Sequence, residues 1–347
     1  EGKLLSEGDQ CNTHASRYMD RVTNKKNLEA SNEFFAKLVE EIHKRGMKVI
    51  IDGVFNHCGS FNKWLDREHI YSTSPEQYAS GAYESFNSPY HTFFKFYSNQ
   101  WPDNNSYDGW WGNDTLPKLN YEEADTLEQY ILGIGKKWVS EPYCVDGWRL
   151  DVSPEVYPEF WRQFRRAVKK TNPNAIMIAE CWDDSREWCT IGDMFDGTMH
   201  YVLSGAIWKF FAEKRWSLAE FDAGVNRAMM LYPQEVQNSM WNFLSSHDTA
   251  RMLTRCGGRT KAMRAAAFFQ MTHPGVPVIY YGDELGMRGG PDPDCRRSMT
   301  WDRVEDNGML ACYKKLTKMR NASKTLREGT FMTWEVGTDR LYAYRRR

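Results

Sequence analysis

Short apolar runs, each closed by a polar cluster and followed by a stretch of helical period, recur along the chain. That is the alternation expected of strand–helix units around a parallel sheet. Six runs read as strands: MKVIIDGVF (47–55), VDGWRLDV (145–152), AIMIAEC (175–181), MFDGTMHYV (194–202), WNFLSSHD (241–248) and PVIYYGDE (277–284). Between them, Phe35, Leu38, Val39 and Ile42 follow helical spacing behind an N-cap at Ser31, with Gly46 as the stop. Phe160, Phe164, Ala167 and Val168 repeat the pattern behind Pro158, a residue suited to a first helical turn. The fold class is therefore α/β.

Residues 58–120 break this rhythm. They are rich in Tyr, Phe, Trp, Asn, Ser and Pro and sustain neither period, so they read as an inserted subdomain of the kind that often forms a binding loop or lid. At the end of the chain, FMTWEV and LYAYR flank a Gly-Thr-Asp turn, which predicts a hairpin over 329–346.

Composition narrows the function classes. The formal net charge of -1 lacks the basic excess of a nucleic-acid binder. No run approaches the length of a membrane-spanning helix, and no charged segment followed by a short apolar stretch opens the chain. Eight cysteines are scattered without CxxC spacing, which argues against zinc and against a disulfide framework and favours a reducing, cytoplasmic setting. The fourteen Trp and eighteen Tyr suit sugar rings, whose C–H faces stack on aromatics, although most such residues build ordinary cores.

Ionisable residues cluster at the carboxyl ends of the predicted strands: Asp52, Asn56 and His57; Arg149 and Asp151; Glu180; His247 and Asp248. In a parallel βα barrel the site is built at that face, so residues from several strand ends converge. A single strand-end Asp is more often a helix cap or a loop hydrogen-bonder. Four carboxylates, two histidines and an arginine on four strands are harder to assign to capping. Retaining glycoside hydrolysis needs two carboxyl groups about 5 to 5.5 Å apart, and neighbouring strands lie about 4.8 Å apart, so Asp151 and Glu180 are spaced for it. Arg149, two residues before Asp151, falls on the same side of the strand and is expected to hold that carboxylate ionised. Glu180 has no adjacent cation in sequence and suits the acid role.

Four stretches carry a specific resemblance. DGVFNH (52–57), GWRLDVSPE (147–155), the Glu of IAECW (178–182) and FLSSHD (243–248) resemble, in order, the four signature regions of the α-amylase family of glycoside hydrolases. The resemblance implies a (β/α)8 TIM barrel with an inserted subdomain after the third strand. It implies Asp151 as nucleophile, Glu180 as acid/base and Asp248 as the carboxylate that grips sugar hydroxyls. It also implies His57 and His247 as sugar-binding residues, Arg149 as the residue that positions the nucleophile, and Asp52 and Asn56 as supports. LPKLN (116–120) and GGPDPDCRRSMTWD (289–302) resemble the neopullulanase, cyclomaltodextrinase and maltogenic amylase group. There Asp292 and Arg296 would contact the substrate's non-reducing end, although PDPD also reads as an ordinary turn. Glu155 resembles an acceptor-side contact of that group. Trp182 has two readings, a platform for a +1 sugar or a core residue.

The chain also departs from the family pattern. The six strands correspond to the third through the eighth; the first two, and the tyrosine that follows the second, have no visible counterpart, and either precede Glu1 or lie in residues 1–30, whose pattern is not readable. Six strands leave two edges unpaired, so a chain of only these residues is expected to be poorly folded or inactive. The expected division is 1–57 as the N-terminal part of the barrel with its third strand at 47–55, 58–120 as the inserted subdomain, 121–328 as the rest of the barrel and 329–347 as the start of a C-terminal β-sheet domain.

The implied function is hydrolysis of α-1,4-glucosidic bonds in maltooligosaccharides, cyclomaltodextrins, pullulan or starch through a covalent glycosyl-Asp intermediate. Transfer to sugar acceptors by the same residues is one alternative, and a non-catalytic carbohydrate-binding relative is another. The partner is an α-glucan, with no nucleic acid and no membrane; a homo-oligomer through regions outside the chain stays open. The chemistry needs no metal or organic cofactor. Ca²⁺ is a minor alternative, resting on the oxygen ligands Asp103, Asn104, Asn113 and Asp114.

Overall fold

A computed structural model describes residues 16–336 and 341–347. The chain divides into two compact units, Glu1–Met177 and Ile178–Arg347, and each is described by itself.

The first unit opens with α1 (Ser16–Thr23) and α2 (Lys25–Lys44), followed by β1 (Ile50–Gly53), α3 (Asp125–Trp138), β2 (Gly147–Leu150) and α4 (Pro158–Thr171). β1 and β2 pair in parallel, with Asp52 opposite Arg149. α4 starts on Pro158 as expected and buries Phe160, Trp161, Phe164 and Val168 on one face. Phe164 and Trp148 meet edge to face, and Phe55 lies against both. Each such fully buried aromatic contributes roughly 1.5–3 kcal/mol through apolar area removed from water.

The predicted start of α2 needs correction. Asn24, not Ser31, is the N-cap, and its side chain accepts a hydrogen bond from the Asn27 amide. Ser31 sits inside the helix and donates to the Asn27 carbonyl at 2.8 Å. Strong helix formers such as Lys25, Lys26, Leu28, Glu29 and Ala30 extend the helix back to the earlier cap. Of the expected apolar face, Val39 is buried and Phe35 meets Trp138 edge to face, whereas Leu38 is exposed.

The stretch 58–120 contains the 3-10 turns His91–Phe93 and Trp110–Gly112 together with isolated bridges such as His57 with Lys118 and Phe96 with Tyr107. It is held by packed aromatics, among them Trp64 edge-on to Phe93 and Phe96 tilted against Trp101.

Gly147, at the start of β2, has no room for a side chain. A Cβ there would lie 2.2 Å from the Ile176 carbonyl oxygen, and backbone cannot yield as a flexible side chain can. Gly147→Ala is therefore expected to lower folding stability by about 3 kcal/mol, at the upper end of overpacking costs. Urea unfolding checks this; an unchanged midpoint would contradict the close approach.

The last strand of the first series, β3 (Ile176–Ala179), carries the division between the units. In the second unit follow α5 (Arg186–Cys189), β4 (Gly197–Thr198), α6 (Tyr201–Ile207), α7 (Leu218–Met230), α8 (Gln234–Ser239), β5 (Trp241–Phe243), α9 (Met252–Arg255), α10 (Thr260–Thr272) and β6 (Val276–Val278). α11 (Gly308–Ala322), α12 (Lys324–Glu328), β7 (Phe331–Val336) and β8 (Tyr342–Arg346) complete it. Ile178 and Ala179 pair in parallel with β4, Met199 bridges to Trp241 in parallel, and β5 pairs in parallel with β6.

All six predicted strands are present, each shorter than its apolar run. The run 194–202 departs most. Only Gly197–Thr198 is strand, and α6 begins at Tyr201, where the Ser204 amide already donates to the His200 carbonyl. An apolar run buried on all sides reads the same whether strand or helix. The core of this unit packs Phe221, Phe269, Leu203 and Met263 together, with Phe210 stacked on Phe221 at 4.4 Å.

The predicted hairpin is observed as antiparallel β7 and β8, whose Phe331 and Tyr344 rings stack at 5.1 Å. Its Gly-Thr-Asp turn lies outside the described residues. The strands expected ahead of β1 have no counterpart among the described residues, which begin with α1 and α2. No described helix is long and apolar enough to cross a membrane.

Candidate active site

In the first unit, the parallel register of β1 and β2 sets Asp52 beside Arg149. One guanidinium nitrogen of Arg149 donates to both neighbours, at 2.8 Å to Asp52 Oδ1 and 2.6 Å to Asp151 Oδ1. The arginine side chain is 9% exposed and Asp151 18%, so the bond to Asp151 is largely shielded from water and correspondingly strong, whereas Asp52 is half exposed. The spacing of two residues puts Arg149 and Asp151 on one side, as expected.

Beyond Asp151 the chain turns at Val152, whose φ of 35° and ψ of 47° are left-handed. That region is a genuine outlier for a β-branched residue, and strain of this kind collects at functional sites. The Asp151 amide donates to the Gly53 carbonyl at 3.0 Å, which ties the turn to the end of β1.

Asn56 and His57 are both buried at the end of the β1 segment, 3.2 Å apart between Asn56 Nδ2 and His57 Nδ1. Burial lowers the His57 pKa, which favours a neutral ring able to donate from one nitrogen and accept at the other. The LPKLN stretch runs alongside: the Cys58 amide donates to Pro117 and the Leu119 amide to Asn56. Trp110 stacks flat on His57, with ring centroids 4.8 Å apart and planes 7° from parallel.

Glu155 sits 3.6 Å from Lys118 Nζ. It lines a cleft of about 200 Å³ together with Asn56, Lys95, Asp108 and Tyr157. The four oxygen-bearing residues considered for Ca²⁺ are engaged locally. Asp114 pairs with Arg67 at 2.8 Å and Asp103 with His69 at 3.4 Å. Asn104 bonds Ser98 and Ser106, and Asn113 bonds the Trp110 carbonyl.

In the second unit, Glu180 follows β3 directly and is buried. Trp182 Nε1 donates to its Oε1 at 2.9 Å. Of the two readings of Trp182, the core one does not fit: the ring is half exposed and lies flat on Tyr201 at 4.4 Å.

Asp248 and His247 follow β5, with His247 Nε2 3.2 Å from Asp248 Oδ2. The 289–302 loop reaches this pair. Arg296 Nη2 donates to Asp248 Oδ1 at 3.2 Å, its Nε donates to the His247 carbonyl at 3.0 Å, and it also pairs with Asp292 at 2.6 Å. Asp292, Arg296 and Asp248 therefore form one ionic chain, so PDPD is more than a turn.

Two anchors of this loop were not singled out from the sequence. Arg251 is fully buried and bonds the Tyr281 and Cys295 carbonyls and Asp283. Asp283 also accepts from Ser245, and burial pushes its carboxyl up to about 6. A charged pair placed in a core is costly unless fully bonded, and here it pins the ends of β5 and β6 to the 289–297 segment. The Gly-Asp-Glu at the end of the β6 run was the available signal.

Strand–helix units with carboxylates, histidines and arginines at the carboxyl ends of parallel strands define an enzyme-like α/β fold of the TIM-barrel class. Residues 30–309 match the family described as alpha amylase, catalytic domain, and the chain belongs to that family. It is 38% identical over 315 residues to neopullulanase 2 from Thermoactinomyces vulgaris, covering 89% of this chain and 51% of the relative. It is 37% identical over 309 residues to a cyclomaltodextrinase from a Bacillus species, covering 85% and 51%. Among solved structures, cyclic α-maltosyl-(1→6)-maltose hydrolase from Arthrobacter globiformis superposes with a TM-score of 0.78 at 29% identity, covering 87% of this chain and 65% of that one. The chain spans about half the length of the curated relatives it matches.

Proposed function

We propose that the protein is a retaining α-glycoside hydrolase that cleaves α-1,4-glucosidic bonds of maltooligosaccharides, cyclomaltodextrins, pullulan or starch. The observation that carries this reading is the shielded Arg149, which bonds Asp52 and Asp151 from one nitrogen. An anionic, oriented carboxylate is what an attack on an anomeric carbon needs.

In the proposed reaction Asp151 Oδ forms a bond to the anomeric carbon while the leaving oxygen takes the proton of Glu180. Water, deprotonated by Glu180, then displaces Asp151 with net retention. Asp248 grips sugar hydroxyls, held in place by Arg296, and His57 and His247 add neutral and exposed donors respectively. Trp182 offers its half-exposed ring to a sugar on the leaving-group side, Glu155 serves an acceptor in the Lys118 cleft, and Asp292 holds Arg296. The reaction needs no metal and no organic cofactor.

The same reading makes 58–120 an inserted subdomain between 1–57 and 121–328 of the barrel, and 329–347 the start of a C-terminal β-sheet domain. The seven described cysteines are all free thiols, which supports a cytoplasmic location.

Product analysis on cyclomaltodextrin, pullulan and maltotriose, with the anomeric configuration followed by NMR, tests the proposal. The expected result is reducing sugar released first as the α-anomer. β-Anomer first would overturn the retaining mechanism, and no release from any α-glucan would overturn the hydrolase. Longer oligosaccharides appearing from maltotriose would instead mark transfer to a sugar acceptor.

A further inference from the structure

The 107–116 segment builds a ladder of three rings that ends in solvent. His57 is buried, Trp110 stacks on it at 4.8 Å, and Trp111 stacks on Trp110 at 5.0 Å with planes 29° apart. Trp111 is 80% exposed, so its outer face is free of protein.

The backbone holds this indole outward against its own preference. Trp111 has φ 52° and ψ 31°, and Gly112 follows with φ 75°. Left-handed geometry costs a bulky residue of order 1–3 kcal/mol and persists only where the surroundings impose it. Here they do. The Gly112 amide donates to Gly109, Asn113 to Trp110, Leu116 to Asn113, and Trp110 to Leu116. Gly109 admits no side chain, since a Cβ would lie 2.3 Å from the Asn113 carbonyl oxygen. The loop is thus closed on itself, and the ring is presented rather than left dangling.

An exposed, pre-oriented indole in a loop that also carries Asp108, Asn113 and Asp114 is suited to a pyranose ring: a flat face for its C–H groups and polar residues on the same loop for its hydroxyls. We propose that Trp111 is a stacking platform for a glucosyl unit of the same α-glucan chain, two ring spacings out from His57, and that it sets the preference for longer chains. This rests on the hydrolase reading only for the identity of the sugar, since the ladder itself is a feature of the first unit alone.

The test is the ratio of kcat/KM for maltoheptaose to that for maltotriose, measured on the protein and on Trp111→Ala, Trp111→Phe and Trp111→Gly. The ratio is expected to fall about tenfold in the Ala and Gly variants and by less than about threefold in the Phe variant, the size of one lost aromatic contact. An unchanged ratio, or equal losses on both substrates, overturns the proposal, because a merely structural ring would not discriminate by chain length. Trp111→Gly, which suits the left-handed backbone, is expected to melt no lower than the parent; a lower melting temperature would mean the ring holds the loop rather than a ligand. If the parent protein hydrolyses neither sugar, the hydrolase reading falls by itself. Calorimetric titration of Glu180→Gln with maltoheptaose then decides the platform: a Kd about tenfold weaker on adding Trp111→Ala supports it, and an equal Kd overturns it.

Discussion

Asp151→Asn is expected to abolish turnover of every α-glucan, by about 10⁴-fold or more, because no other group then forms the covalent intermediate. Arg149 keeps its bond to Asp52 in that variant, so the fold should persist and the loss should be one of chemistry. Glu180→Gln is expected to cost about 10²–10⁴-fold on natural glucans, the range of a general acid.

The two losses separate on the leaving group. An aryl α-maltoside with a good leaving group, such as dinitrophenolate, departs without a proton. Glu180→Gln should therefore still release a burst of phenol from it and stall at the glycosyl-enzyme, whereas Asp151→Asn should release none. Full turnover in either variant would sink the assignment, and a burst from Asp151→Asn would exchange the two roles. Intact-mass detection of the glycosylated Glu180→Gln protein gives an independent readout.

What the amino-acid sequence carried and what it did not follow from the same physics. Parallel strands buried on both faces read as continuous apolar runs, and the carboxylates that close those runs mark the strand ends. That is why β1, β2, β3, β5 and β6 lie where expected and why Asp52, Arg149 and Asp151 were found together. The same continuity hid the boundary between β4 and α6, since an apolar run such as MFDGTMHYV has no period to betray the change.

Contacts made by aperiodic segments were illegible for a different reason. Trp110 meets His57, and Arg251 meets Cys295 and Asp283. Those pairings depend on how loops close, and no spacing rule reports it. Arg296 was nameable only through resemblance; its bond to Asp248 supplies the physical reason. Asn24 is not legible as a cap because the four apolar positions of the helical pattern, Phe35, Leu38, Val39 and Ile42, all lie beyond Ser31, while propensity alone carries the helix seven residues further back.

Folding stability is expected to fall steeply between pH 7 and pH 5, by about 3 kcal/mol, well above the range in which ordinary carboxylates titrate. The cause is a pair of histidines in the second unit, each pushed down to about 3 by burial. His273 Nδ1 lies 2.9 Å from the Pro274 carbonyl, which makes that nitrogen the donor, and its ring packs against Phe269 and Phe331. Its charged neighbours are Arg320 and Arg346, both of which oppose an imidazolium, as does His200. His200 is equally enclosed, edge-on to Tyr232.

In the unfolded chain both rings titrate near 6.5. Their contribution is therefore fully present above that pH and is lost as protons bind the unfolded state, down to the folded value near 3. At pH 5 the loss is about 2 kcal/mol for each ring. Asp283 works in the opposite sense: its carboxyl, raised to about 6, takes up a proton in the folded state over this range and offsets about 1 kcal/mol of the loss. His69 does so too, since its hydrogen bond to Glu84 raises its pKa, but it is about half exposed and offsets little. Urea unfolding at pH 7, 6 and 5 measures the slope, and His273→Gln is expected to remove about 2 kcal/mol of the fall, as is His200→Gln. A stability that is level from pH 7 to pH 5, or a slope unchanged in the double variant, would show that these rings take up protons without unfolding the core around them.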